Sequence, residues 1–365
     1  MDYFGNEPVG SGSGRSRPAL VAGVWITAFV LLLGGFGLGV VYLELNGNLK
    51  GIDINGVLGG DRPEDADNGS LDILLLGSDS RAGENGAYGD DDGTARSDTA
   101  MVVHVHEGHR RATVVSIPRD TRTYRPPCAR SDGGTAPAEA NAMFNDSYSV
   151  GGPACAVKTA ESMTGIRMDH YMEIDFTGFT ELVDALGGVP LTVDKPIHDR
   201  RSKLDLEAGR HVLDGEQSLA FVRTRHGVGD GSDLGRIELQ HRFVAALLDR
   251  VEELGVLTSP ARLYDVADAA TKCVTTDSEL ASVEALAGLG RSMRRIGSED
   301  VDMLTLPVRH DPGDPNRVVP LTKGAQEVWT ALRADRRVPA SATEGSAAAR
   351  GGSSASGTPA PGAGE

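Results

Sequence analysis

The chain is short of cysteine and of positive charge, and each shortage removes a class of function. Three cysteines occur in 365 residues, Cys128, Cys155 and Cys273, with no paired Cys-x-x-Cys spacing, which argues against a zinc site. Lysine and arginine total 36 against 52 aspartate and glutamate, for a formal net charge of −16. Wholesale nucleic-acid binding needs a basic face, so nucleic acid is not expected as a partner. No internal repeat is present, and the length suits one large domain or two ordinary ones.

Charge is also missing locally. Residues 19–43, ALVAGVWITAFVLLLGGFGLGVVYL, carry none. At about 1.5 Å per residue, a helix of that length crosses the hydrocarbon core of a bilayer. Arg15 and Arg17 precede the run, which places the N-terminus in the cytoplasm. The run is long and no small-residue cleavage site follows closely, so an uncleaved anchor is expected rather than a signal peptide. Everything after Leu45 then lies outside the membrane. In that compartment Cys128 and Cys155, which bracket a Gly/Pro/Ala-rich segment, could form a disulfide. Cys273, left over in a helical context, reads as a buried free thiol.

Composition divides the rest. Residues 1–18 are polar and Gly/Ser-rich and read as a disordered cytoplasmic tail; 46–69 read as a linker. From 338 to 365 the chain is dominated by Ala, Ser, Gly and Pro, which bury too little apolar surface to fold. The folded part is expected at 70–335. Within it, short apolar runs at 71–77, 100–105, 112–117, 171–176, 189–193 and 301–308 have strand length and composition. Helical patterns fall around FTELVDALG, at DGEQSLAFV, where Asp214 and Gln217 form a capping-box pair, and at 234–254, 259–270, 277–293 and 321–333. The expected fold class is α/β: a mixed central sheet with helices on both faces, preceded by one transmembrane helix.

Ligands in such folds bind in the loops beyond strand ends, and polar clusters fall there. LLLGSDSR places Asp79 just past the first strand. ARSDTAMVV places Arg96 and Asp98 just before the second. SIPRDTR presents Arg119 and Asp120 after the third. FVRTRHGVGDGSDLGR, residues 221–236, brings Arg223, Arg225, His226, Asp233 and Arg236 into sixteen positions. Each cluster has a plainer reading: a turn for Asp79, a surface ion pair for Arg96 and Asp98, a loop closure for Arg119 and Asp120, a solvated edge strand for Arg223 and Arg225. The acidic run GDDDG at 89–93 reads as a solvated loop. In an extended segment Arg223 and Arg225 point to one face, Asp233 and Arg236 begin the following helix, and Gln240 lies one turn on. Guanidiniums about 4 Å apart repel by about 4 kcal/mol at an effective dielectric of about 20, which a bound pyrophosphate would offset by accepting their planar forks. Carboxylates near the same phosphates need a hard cation between, and Mg2+ is the usual one. Asp79 and Asp98, flanking the first two strands, are the expected pair.

Taken together, LLLGSDSR, RSDTAMVVHV, VSIPRDT, TGIRMDHYMEIDFTGFTELVDALGGV and LDGEQSLAFVRTRHGVGDGSDLGR resemble, in order over residues 70–255, the LytR-CpsA-Psr family of cell-envelope proteins. The resemblance implies a single-pass membrane protein with an extracytoplasmic phosphotransferase domain. It would move a glycopolymer from a polyprenyl-pyrophosphate carrier onto peptidoglycan as a phosphodiester, with the lipid chain held between sheet and helices. It also implies Mg2+ or Mn2+ on Asp79 and Asp98, and pyrophosphate on Arg96, Arg119, Arg223, Arg225 and Arg236, with Gln240 beside them. Asp233 matches a further acidic position. The insert GENGAYGDDDG lengthens the spacer between the two aspartates. Asp120, or secondarily Asp233, is the candidate base; His226 and His104 read as structural. Other functions open to the same residues are a non-catalytic binder of polyprenyl-linked glycans, a lipid-pyrophosphate phosphatase and a DNA-binding regulator, the last opposed by topology and charge.

Overall fold

Side-chain alternation along three buried strands dictates the architecture, because each strand must bury two faces against different partners. The computed structural model describes residues 39–78, 97–130, 133–225, 233–256 and 259–348, with the backbone alone at 97, 98, 260 and 261. Two compact units divide the chain, Met1–Gly47 and Asn48–Glu365. In the first, residues 39–47 are helical. Most of the expected anchor lies outside the described residues, and among those described no helix is long and apolar enough to cross a membrane.

The second unit opens with β1 (Lys50–Ile52) and α1 (Ile54–Leu58), followed by β2 (Leu71–Ser78), β3 (Ser97–Val105) and β4 (Ala112–Ile117). A peripheral set comes next, β5 (Arg122–Arg125), β6 (Cys128–Ala129), β7 (Thr135–Ala136) and β8 (Glu139–Met143), leading into α2 (Phe144–Thr164). Then β9 (His170–Asp175) precedes α3 (Phe176–Ala185), β10 (Val189–Val193), β11 (Ile197–Asp199), β12 (Leu204–Leu206) and β13 (Gly209–Leu213). Helices α4 (Gly215–Arg223), α5 (Asp233–Glu253) and α6 (Pro260–Cys273), strand β14 (Val274–Asp277) and α7 (Val283–Met293) follow. The chain closes with β15 (Val301–Thr305), β16 (Val308–Asp311), β17 (Asp314–Pro320) and α8 (Thr322–Arg333).

Seven strands form the mixed sheet in the order β1-β14-β9-β2-β3-β4-β15. Strand β2 runs parallel to β9 and antiparallel to β3, and β3 runs antiparallel to β4. The end of β2, the start of β3 and the end of β4 therefore lie at one sheet end. One face packs Leu74, Leu76, Val102, Val115 and Ile117 against Val157 and Ala160 of α2 and Val328 and Leu332 of α8. Full burial of each such side chain contributes about 1.5–3 kcal/mol. The alternate residues Thr99 and Ser116 meet α5 through Gln240 and His241, so helices cover both faces. A second cluster joins Val183, Leu191, Leu213, Phe221, Leu239 and Phe243, and fixes α4 and α5 to each other.

Several expectations need correction. The segment 46–69 is more than a linker: β1 pairs with β14, and the buried Arg62 donates to Glu161 and to the Met168 carbonyl, at 3.0 and 2.7 Å. Backbone pairing and one charged side chain anchor it, so apolar periodicity carries no trace of this. The first residues of the expected tail are also ordered. Ala342 is buried, and the Val308 N–H donates to Ser346 Oγ at 3.2 Å; small residues pack here because Gly324 lets the Ala342 carbonyl approach where a Cβ would stand at 2.3 Å. Helix α2 escaped the sequence reading because Gly151, Gly152 and Pro153 break its pattern, with Gly152 at φ 64. Cys155, just beyond that kink, is disulfide-bonded to Cys128. Cys273 is buried and free, and burial pushes its thiol up to about 12.

Candidate active site

Three loops converge beyond the ends of β2 and β4. After β4, Pro118–Thr121 make a tight turn closed by the Thr121 N–H on the Pro118 carbonyl at 2.9 Å. The turn is pinned from both sides: the Asn145 N–H donates to the Arg119 carbonyl at 3.2 Å, and the Val318 N–H to the Asp120 carbonyl at 3.3 Å. The turn that carries Arg119 and Asp120 is thus fixed by backbone hydrogen bonds.

Helix α4 brings the second group. Its capping box is formed as expected, Asp214 accepting from the Gln217 N–H. The helix runs on to Arg223, so the extended geometry expected for Arg223 and Arg225 is replaced by a helix end: Gly215, Ser218 and Leu219 are buried at helical spacing, and the chain turns extended only at Thr224. Arg223 in the last turn suits the negative end of the helix dipole. Its guanidinium carbon stands 4.6 Å from the centre of the Phe176 ring. Phe176 follows Asp175, which is paired with Ser78, so Arg223 reaches the same sheet end. The Arg225 N–H donates to the buried Asp199 at 3.2 Å, and Asp199 also accepts from the Arg201 N–H at 2.9 Å.

Helix α5 supplies the third group. Asp233 opens the helix and pairs with Arg236 at 2.5 Å, with both side chains nearly buried. The same carboxylate accepts the Arg119 N–H at 3.2 Å, and Arg119 Nε stands 3.5 Å from Asp120. Burial pushes the Asp120 carboxyl above its ordinary range; Arg119 opposes the rise, the Asp233 charge adds to it, and Arg225 and Arg236 oppose it more weakly. The fields of three arginines thus reach one carboxyl whose affinity for a proton is raised by burial, a combination suited to binding anionic oxygens and accepting a proton beside them.

Not every expected residue joins this group. Gln240 is buried and braces the scaffold, its amide nitrogen donating to Thr99 Oγ1 at 2.9 Å and to the Val222 carbonyl at 3.1 Å. Asp79, Arg96 and His226 lie outside the described residues, and Asp98 is described by its backbone alone. The register pairs Gly77 with Thr99 and Ser78 with Ser97, with a bulge between. The backbone of Asp98 therefore lies at a bulge opposite the end of β2. His104 sits at the opposite sheet end, opposite Asp72. Sequence reasoning missed Asp199 and Phe176, whose partners are remote along the chain. It also missed His241, which contacts Ser116 Oγ at 2.8 Å and is held at a pKa of about 4 by burial.

The model of the LytR_cpsA_psr family matches residues 41–334. The chain belongs to that family. Over 321 residues it is 31% identical to the cell wall biosynthesis protein LcpA of Corynebacterium glutamicum, covering 78% of this chain and 58% of that one. Over 202 residues it is 34% identical to the polyisoprenyl-teichoic acid–peptidoglycan teichoic acid transferase TagT of Bacillus subtilis, covering 54% and 57%. The matched regions thus span a little over half the length of these two relatives. Among solved structures, the LytR-Csp2A-Psr enzyme from Actinomyces oris has the same fold, with a TM-score of 0.56 at 23% identity, covering 78% of this chain and 95% of that one. In this family member, the motifs SIPRDTR and SDLGR meet at one sheet end through the Asp233–Arg119 hydrogen bond.

Proposed function

We propose that this chain is a phosphotransferase that moves a glycopolymer from a polyprenyl-pyrophosphate carrier to peptidoglycan, leaving a phosphodiester link. The observation that carries this reading is the meeting of Arg119, Arg225 and Arg236 around Asp120 and Asp233. The name of the relative TagT supports the donor and acceptor classes.

In this reaction a sugar hydroxyl of peptidoglycan attacks the phosphorus that carries the glycopolymer. The new O–P bond forms as the bond from that phosphorus to the bridging oxygen breaks, and polyprenyl phosphate leaves with the electron pair. Arg119, Arg225 and Arg236 stabilise charge growing on the phosphoryl and bridging oxygens, an electrostatic effect worth about 10²–10³ in rate per donor. Asp120 accepts the hydroxyl proton, which its raised affinity for protons favours. Arg223, held over the Phe176 ring, binds the outer phosphate. Bound at Asp79 and Asp98, Mg2+ or Mn2+ would neutralise diphosphate charge. The run 19–43 would anchor the chain, with the catalytic domain outside the membrane and the lipid chain between sheet and helices.

Incubating the full-length chain with a lipid-pyrophosphate glycan and peptidoglycan oligosaccharide tests this. The expected product is a glycan–peptidoglycan phosphodiester, formed only with Mg2+ or Mn2+ and lost in Asp98→Ala. Binding without turnover would make the chain a carrier, and phosphate release to water would make it a phosphatase; either result overturns the transferase.

A further inference from the structure

We propose that His104, His106 and Asp335 form a zinc-binding site at the sheet end opposite the arginines. The two histidines are two residues apart at the end of β3, which puts them on one face. Asp335 comes from just beyond α8, 229 residues after His106. His104 Nε2 and His106 Nδ1 both point at Asp335 Oδ1, at 3.1 and 2.6 Å, and the three ligand atoms lie within 4.8 Å of one another. Two imidazoles and a carboxylate are a zinc donor set that keeps a fourth position for water. The Asp335 side chain is 18% exposed, so water reaches it, whereas His104 is fully buried.

Outer partners set the tautomers this site needs. His104 Nδ1 stands 2.8 Å from Asp72 Oδ1, and His106 Nε2 stands 2.9 Å from Thr113 Oγ1. If those nitrogens donate, the lone pairs of His104 Nε2 and His106 Nδ1 face Asp335, the arrangement in which an outer carboxylate or hydroxyl orients a metal-binding imidazole. The second oxygen of Asp335 accepts the Glu107 N–H at 3.2 Å, which orients the carboxylate too. Hydrogen bonding alone would instead require one extra proton in this buried group, either on His104 or on the carboxyl of Asp72 or Asp335. Asp335 also follows a helix C-terminus, where a carboxylate is disfavoured unless a cation faces it. The absence of Cys-x-x-Cys spacing therefore excludes only cysteine-based zinc sites. Bound zinc would clip the end of α8 to the end of β3, beside the start of β2.

This site is independent of the phosphotransferase reading, and its test separates the two. Full-length protein stripped with chelator is titrated with Zn2+ while its unfolding midpoint and bound metal are measured. One equivalent should bind and raise the midpoint by roughly 5 °C at a hundredfold excess over Kd. Asp98→Ala should keep this response and His106→Gln should lose it. Absence of a zinc response in the unsubstituted chain overturns the proposal, as does a response that survives His106→Gln or disappears in Asp98→Ala.

Discussion

The two ends of the central sheet are both crowded with charge, yet they are built in opposite ways. At the end where β2 and β4 finish, Arg119, Arg225 and Arg236 act on Asp120 and Asp233, and the turn that carries Arg119 and Asp120 is held by its backbone. At the other end, Asp72, Asp335, His104, His106 and Thr113 use their side-chain atoms on one another. Charged side chains carried on a backbone-anchored turn suit a transient anionic ligand. Side chains bonded to one another suit a permanent bond between distant parts of the chain. Substitutions at the first end should cost function, and those at the second should cost stability alone.

The largest effect should come from Arg236→Ala, because it leaves the nearly buried Asp233 without its partner. A loss of about 3–5 kcal/mol in unfolding free energy is expected, measured by denaturant melts, together with loss of turnover. Arg223→Ala sharpens the contrast: its half-buried place at the end of α4 predicts a folded protein with transfer reduced about 100-fold or more, and near-normal transfer would remove it from the site. Third comes the response to acid. Since His241 is held at about 4 by burial and titrates near 6.5 when unfolded, the folded state binds fewer protons in that window. Its contribution is complete above pH 6.5 and falls away by pH 4, a loss of roughly 2–3 kcal/mol; melts of His241→Gln across this range should show a flatter acid slope. The smallest effect belongs to Thr113→Val, which removes the outer partner of His106. About 1 kcal/mol of stability should go while turnover stays unchanged, and a fall in turnover would break the division between the two ends.

Legibility in the sequence followed interaction range. Strands β2, β4 and β10 and helix α8 were readable within a residue or two, since each buries side chains at a local period. The capping box at Asp214 was equally local. Helix α2 was hidden by Gly151, Gly152 and Pro153, whose break is tolerated only because the flanking turns pack on the sheet and a disulfide ties Cys155 to Cys128. The conformation around Arg223 was misread because VRTR has strand-like alternation, while the helix in fact runs on to Arg223. Gln240 lay on the expected face but spends its amide on Thr99 and Val222, contacts that no spacing reveals.

By itself, the sequence determined the main buried strands and several of the helices, the apolar run near the N-terminus, the acidic balance and the motifs that mark the family, because these depend on neighbours a few positions apart. Only the tertiary structure decided which charges meet: Arg119 with Asp233 across 114 positions, Asp335 with His106 across 229, Arg62 with Glu161 across 99. Such pairings depend on where a register or a crossover delivers each side chain, and a burial pattern of one element holds no information about its partner.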